Sequence, residues 1–194
     1  MPEFQIMPKK TWVFSDPHFD HTNIIEYTGR PFKDKDEMNQ VILNNWCSRV
    51  QEDHIVLFLG DMAFGKDSRE PKWWASQLPG RIIYLEGSHD HGVRPTTQMP
   101  SNILVVADRA WLDTSYETIL LIHDTSKYHC PKASWVFHGQ NHNKQLFLNR
   151  ARKEMNFSAE VVNYTPVNLE QAFAVAGIQY VEDNCWVQPI WDGK

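Results

Sequence analysis

Cysteine is scarce in this chain: Cys47, Cys130 and Cys185 are the only three among 194 residues, and no C-x-x-C pair occurs. A set so sparse and odd excludes a disulfide scaffold and a cysteine-built zinc site, and it predicts a reducing, cytoplasmic setting. Long apolar runs are missing too. No stretch approaches the roughly 20 apolar residues of a membrane span, so no membrane association is expected. The first ten residues are polar and contain proline, unlike the core of a signal peptide. Excess positive charge is also lacking, because the formal net charge is −5. A nucleic-acid partner is therefore not expected, since a phosphate backbone normally meets a basic face; a phosphate ester held through cations remains compatible. Repeats, linkers and low-complexity segments are absent. A chain of this length fills one core, so residues 1–194 are expected to form one domain, with oligomeric state left open.

What is present is a series of apolar runs, each ending in an acidic or histidine-bearing loop. Trp12-Val13-Phe14-Ser15 leads to Asp16-Pro17-His18, where Pro17 ends extended pairing because it lacks an N–H. A short helix capped by Thr22 or Asn23 follows and is broken at Gly29-Arg30-Pro31. Met38, Val41, Ile42, Trp46 and Val50 recur at spacings of three and four, which predicts an amphipathic helix over 36–50 starting at Asp36. The run 54–59 is continuously apolar, as in a strand covered on both faces, and stops at Gly60-Asp61. A helix over 68–78 tolerates Pro71 in its first turn, and a strand over 81–86 runs into Gly87-Ser88-His89-Asp90. This alternation predicts parallel strands with ligands bound at their carboxyl ends. Further strands are expected over 103–106, 117–122 (ending at His123), 134–138 (ending at Gly139-Gln140-Asn141-His142), 145–148 and 155–162. A capped helix begins at Asn168, and a tryptophan-bearing tail over 179–194 should pack down. Trp12, Trp46, Trp73 and Trp74 read as core. The fold class is α/β bordering on α+β.

One Gly-Asp after a strand is usually a turn, and one histidine beside a strand is usually not a ligand. Five such loops in one chain are informative as a set, because mixed Asp/His donors suit a borderline or hard divalent cation.

The order Asp16-Pro17-His18, Gly60-Asp61, Gly87-Ser88-His89-Asp90, His123, Gly139-Gln140-Asn141-His142 resembles the calcineurin-like metallophosphoesterase family. The likeness runs from about Trp12 to His142, and the stretch from Phe14 through Pro31 is most similar to small bacterial and phage members. The resemblance implies a two-sheet β-sandwich flanked by helices, with two metal ions at the strand ends. By that resemblance Asp16, His18 and His142 hold the first metal, Asp61 bridges, and His123 holds the second. His89 then sits near the leaving-group oxygen or a phosphoryl oxygen, with Asp90 setting its tautomer and orientation. Ser88 and Gln140 depart from the family pattern, which has asparagine and histidine there, so the second metal is expected to bind weakly or not at all. His138 is a possible replacement ligand, and His21 and His91 are expected to face solvent or back up the ligands. Arg30 either contacts a substrate phosphate or is a surface arginine.

The implied activity is hydrolysis of a small phosphate ester, nucleotide-like and most readily a diester, through metal-activated water with manganese, iron or zinc. The alternative is a weakened relative that binds a phosphate ligand with little turnover.

Overall fold

The structure is a computed structural model and describes residues 2–90, 93, 99–127 and 132–192. His91 and Cys130, and most of the expected loop before Pro100, lie outside those residues.

The strands, in chain order, are β1 (Phe4–Ile6), β2 (Thr11–Phe14), β3 (Ile55–Phe58), β4 (Arg81–Leu85), β5 (Ile103–Ala107), β6 (Arg109–Asp113), β7 (Thr118–Ile122), β8 (Trp135–His138), β9 (Leu148–Asn149), β10 (Glu154–Asn156), β11 (Val167–Asn168) and β12 (Cys185–Ile190). The α-helices are α1 (Ile24–Thr28), α2 (Lys35–Arg49), α3 (Pro71–Ser76) and α4 (Leu169–Ala176). Two mixed sheets result, ordered β1-β12-β6-β7-β8-β10-β9 and β11-β2-β3-β4-β5. The run β2-β3-β4-β5 is parallel, while β7-β8 and β8-β10 are the parallel pairs of the larger sheet.

One core lies between the sheets, where Val13, Leu57, Ile83 and Leu85 meet Leu112, Leu121, Phe137 and Val187. A second lies on the opposite face of the smaller sheet, where Phe14, Val56, Phe58 and Tyr84 pack on Met38, Ile42 and Trp46 of α2. This explains the unbroken apolar sequences of β3 and β4, which are covered on both faces. The larger sheet instead alternates buried and more exposed positions along β6 and β12, as an antiparallel sheet with one covered face does. Burial of each large side chain in these cores stabilises by about 1.5–3 kcal/mol.

Local chemistry sets the helix ends. Asp34, not Asp36, caps α2, its carboxylate accepting from the Glu37 amide at 2.8 Å. Asn168 caps α4 by accepting from Glu170 and Gln171. Helix α3 is shorter than expected and starts at Pro71, whose missing N–H costs nothing in a first turn. Trp73 is a correction: it is 41% exposed, with Arg69 stacked 4.5 Å above it, whereas Trp46 and Trp74 are buried. Strands β1, β6 and β12 had no expectation of their own, although β12 lies inside the larger sheet. Among the described residues no helix is long and apolar enough to cross a membrane.

Candidate metal centre

The acidic and histidine loops each follow a strand: Asp16 after β2, Asp61 after β3, His89 after β4, His123 after β7 and His142 after β8. Neighbouring loops continue the pairing of their strands. Asp16 N donates to Gly60 O at 3.0 Å, His18 N to Asp61 O at 3.2 Å, and Gly139 N to His123 O at 3.1 Å. Ser15 N donates to Phe157 O at 3.0 Å and joins the loops of the two sheets.

The backbone there is held in an uncommon conformation. Asp16, His18, Asp20, Asp61, Gln140 and His142 all have φ between 47° and 65°. Non-glycine residues in sparsely populated backbone regions cost on the order of 1–3 kcal/mol each, and such strain persists only where the surroundings over-determine it. The motif glycines have a different purpose. A side chain at Gly87 would collide with the Asp61 carboxylate, and one at Gly139 with the Ser15 hydroxyl and the Asp16 carboxylate.

Asp61 Oδ2 is the point of convergence. It lies 3.2 Å from His123 Nε2, 3.5 Å from His18 Nε2 and 4.0 Å from His89 Nε2. Asp16 Oδ1 lies 3.8 Å from both His18 Nε2 and His142 Nε2. Two groups with cation-binding spacing follow, Asp16 with His18 and His142, and Asp16 with Asp61 and His123. Asp16 thus belongs to both groups, where a place in the first alone was expected.

The buried donors fit a cation. His18 Nε2, His123 Nε2 and Gln140 Oε1 are all buried and make no hydrogen bond. Unpaired buried polar atoms are costly, and a set of imidazole nitrogens and carboxylate oxygens suits a borderline divalent ion. The His123 ring is fixed from behind, its Nδ1 lying 2.7 Å from Leu59 O, so Nε2 faces the carboxylates. Burial would lower the His123 pKa, but Asp16 and Asp61 overcome it and raise it to about 10. Burial would likewise raise Asp61, and the charge of His123, whose Nε2 is 3.2 Å away, holds it below the usual carboxylate range instead. His18 is pushed well below an ordinary histidine by burial, and burial raises Asp16.

Behind His142 lies a residue outside the expected set. Both Glu160 oxygens sit 3.1 Å from His142 Nδ1, and Glu160 Oε1 also accepts from Arg30 Nε at 2.8 Å. Burial would raise Glu160, but the His142 bond and the Arg30 charge bring it down to about 2. Asn156 pins the same loop, donating to His142 O at 2.7 Å. No motif spacing marks Glu160, because its partner is eighteen residues away, and the expected strand over 155–162 enclosed it, whereas β10 ends at Asn156 and leaves Glu160 in the following turn.

Two expected roles are corrected, those of Arg30 and Asp90. Arg30 is 4% exposed, and its guanidinium donates to Pro17 O, Asp16 O and Glu160, so it braces the metal loop from inside and does not face a substrate. Asp90 does not orient the His89 ring. Its carboxylate accepts from the amides of Asp61, Met62 and Gly87 at 2.7–2.9 Å and so ties two ligand loops together. Burial, then the Asp61 charge, raises Asp90 to about 6. Ser88 points at the carboxylate: its hydroxyl lies 3.1 Å from Asp61 Oδ2 and donates to it.

The remaining residues are placed as follows. His89 is partly exposed beside Phe64, its ring centroid 4.1 Å away, and its amide donates to Asp61 Oδ1 at 2.7 Å. His21 is buried against His18, the two Nδ1 atoms 3.4 Å apart, so it backs up a ligand. His138 is buried with Nδ1 2.9 Å from Gly139 O and belongs to neither group, so it does not replace the missing histidine. Gln140 holds Asp16 through its amide, 3.1 Å from Oδ2.

With this geometry in view, similarity to known proteins can be stated. The chain is 33% identical over 167 residues to the uncharacterized protein MJ1445 of Methanocaldococcus jannaschii, covering 84% of this chain and 88% of that protein. The chain belongs to the MJ1445 family. A shorter similarity, 33% identity over 82 residues, links 41% of the chain to 39% of the gene 66 protein of Mycobacterium phage L5. The crystal structure of AQ665, a protein of unknown function from Aquifex aeolicus, superposes with a TM-score of 0.63. At 21% identity, over 85% of this chain and 98% of that one, it shares the fold. No protein-family model matches the sequence.

Proposed function

We propose that this protein is a metal-dependent phosphoesterase of the calcineurin-like kind, acting on a small, nucleotide-like phosphate ester and preferring a diester. The observation that carries this reading is the convergence of three imidazole Nε2 atoms on one buried carboxylate oxygen, Asp61 Oδ2, beside a second buried carboxylate, Asp16. The two-sheet sandwich with its polar loops at strand carboxyl ends supports the corresponding fold.

Asp16, His18 and His142 would hold one ion, with Asp61 in reach of it; Asp61, Asp16 and His123 would hold another, with the buried Gln140 amide oxygen as a further donor. Manganese, iron or zinc bound there would supply Lewis-acid neutralisation of phosphoryl charge and acidify an attacking water. His89 stands at the open side, where its ring can hydrogen-bond a phosphoryl oxygen or deliver a proton to the departing oxygen. Glu160 and Leu59 O keep the rings of His142 and His123 turned toward the carboxylates, which avoids reorientation during the reaction.

The purified chain should contain divalent metal and hydrolyse bis(p-nitrophenyl) phosphate with added manganese, with activity lost to a chelator and regained on reloading. A folded, metal-loaded protein that turns over neither a diester nor a monoester would sink the proposal.

A second reading, a weakened member that binds phosphate with little turnover, is favoured by one observation. The Ser88 hydroxyl spends its proton on Asp61 Oδ2, a donor of the second group, and leaves that group with few free donors. On that reading Ser88→Asn combined with Gln140→His raises metal bound per chain and increases activity. Unchanged stoichiometry in a folded double variant excludes it.

A further inference from the structure

A cleft of about 310 Å³ opens beside the metal centre, lined by His21, Thr22, Asn23, Lys35, Phe64 and Lys66 among others. Its size falls at the lower end of the roughly 300–1,000 Å³ that hold small-molecule ligands. Its walls belong to the metal loops themselves. Phe64 stands three residues after Asp61, and His21 three residues after His18. Both are anchored: Phe64 N donates to Phe19 O at 3.1 Å, and His21 N to His18 O at 3.1 Å.

The aromatic rings form a connected set. Phe64 packs on His89 with centroids 4.1 Å apart and meets His21 edge-on at 4.9 Å, while Tyr27 meets His21 at 6.3 Å. Phe64 is 38% exposed and Tyr27 71%, so both retain free ring surface although neither serves the core. Asp20, also in the lining, is occupied by the Trp74 indole N–H, the Arg69 amide and Asn39. Asp67 lines the cleft as well, beside Lys66.

We propose that this cleft is the subsite for a planar aromatic ring in the non-reacting part of the substrate, seated on Phe64 with its polar edge toward Lys35 and Lys66. The proposal rests on the phosphoesterase reading above and names the substrate class for that site. Covalent linkage of ring wall and metal loop fixes the distance between the bound ring and the phosphorus, so the cleft selects by reach as well as by stacking. The shared chemistry is a ring face, supplied either by an aryl ester or by a nucleobase; stacking on an aromatic side chain accepts both.

Phosphonates test this without turnover, because their C–P bond is not hydrolysed. The manganese-loaded full chain is titrated calorimetrically with methylphosphonate, phenylphosphonate and the methylenephosphonate analogue of adenosine monophosphate. At least one ring-bearing probe should bind about fivefold or more tighter than methylphosphonate, in line with a stacked ring. Tightening by the adenosine probe alone assigns the ring to a nucleobase, and tightening by both extends it to aryl esters. Phe64→Ala and Phe64→Leu should remove most of that gain. Equal affinity of all three probes for the wild-type chain overturns the subsite and leaves the phosphoesterase reading standing, as does a gain that survives in Phe64→Ala. Failure of every probe, methylphosphonate included, removes the phosphoesterase reading and the subsite with it.

Discussion

The two cation-binding groups are built differently although they share Asp16. In the first, His142 is backed by a carboxylate, and that carboxylate is backed by a buried guanidinium that also holds the Asp16 and Pro17 carbonyls. In the second, His123 is backed by one neutral carbonyl, Leu59 O, and the carboxylate it faces already accepts from Ser88. A charged backing raises the basicity of an imidazole ligand and resists its rotation more than a neutral one does. On the proposed function, the first group would hold its ion more tightly than the second.

The comparison breaks most completely at Asp61, which both groups can reach. Asp61→Asn should lower metal-dependent phosphodiester hydrolysis about 10²–10⁴-fold, the loss of several kcal/mol of charge stabilisation, and should reduce bound metal by elemental analysis. Wild-type stoichiometry in that variant would separate Asp61 from the metal centre. A smaller effect is expected at Glu160. Glu160→Gln should weaken the tighter metal-binding event about 10–100-fold by calorimetry and leave the weaker one in place. It should also lower thermal stability, because Arg30 loses its buried counter-charge. Equal weakening of both events would mean the two groups are not separately supported.

The mildest perturbation is pH. In the metal-free protein His123 holds its proton up to about pH 10, and a cation must displace it. The weaker binding event should therefore tighten with rising pH, by up to about tenfold per unit, and release a proton measurable in buffers of differing ionisation enthalpy. Burial already keeps His18 neutral, so a cation displaces no proton from that residue in the tighter event, whereas His142 is raised and must give one up. Without metal the sign reverses. A histidine raised from 6.5 to about 10 contributes stability that is complete below 6.5 and lost as pH climbs through 10. Thermal melting at pH 7 and pH 9.5 should show the metal-free chain weakening while manganese offsets the loss. A chain whose melting does not change over that range would rule out the imidazolium–carboxylate pair.

Much of the architecture around the centre could be read from residue patterns. The double-faced burial of β3 and β4 left a continuous apolar signature, and Asn168 announced α4 through its capping chemistry. Strands β1, β6 and β12 were not legible, because a half-covered strand such as Arg109–Asp113, with an arginine and an aspartate at its ends, looks like a surface segment until a neighbour pairs with it. Trp73 misled for the opposite reason: an aromatic at helical spacing suggests core, but α3 is too short to bury two adjacent tryptophans on one side.

By itself the sequence determined which donor types are available and where along the chain they stand, because the glycines and acids that follow apolar runs are written locally. Only the tertiary structure decided their partners. That Asp90 would be consumed by three amides, Arg30 turned inward, Ser88 bonded to Asp61, and Glu160 brought behind His142 depends on contacts between segments tens of residues apart. Chain order constrains a residue's own backbone, whereas the identity of a hydrogen-bond partner is set by how the sheets pack.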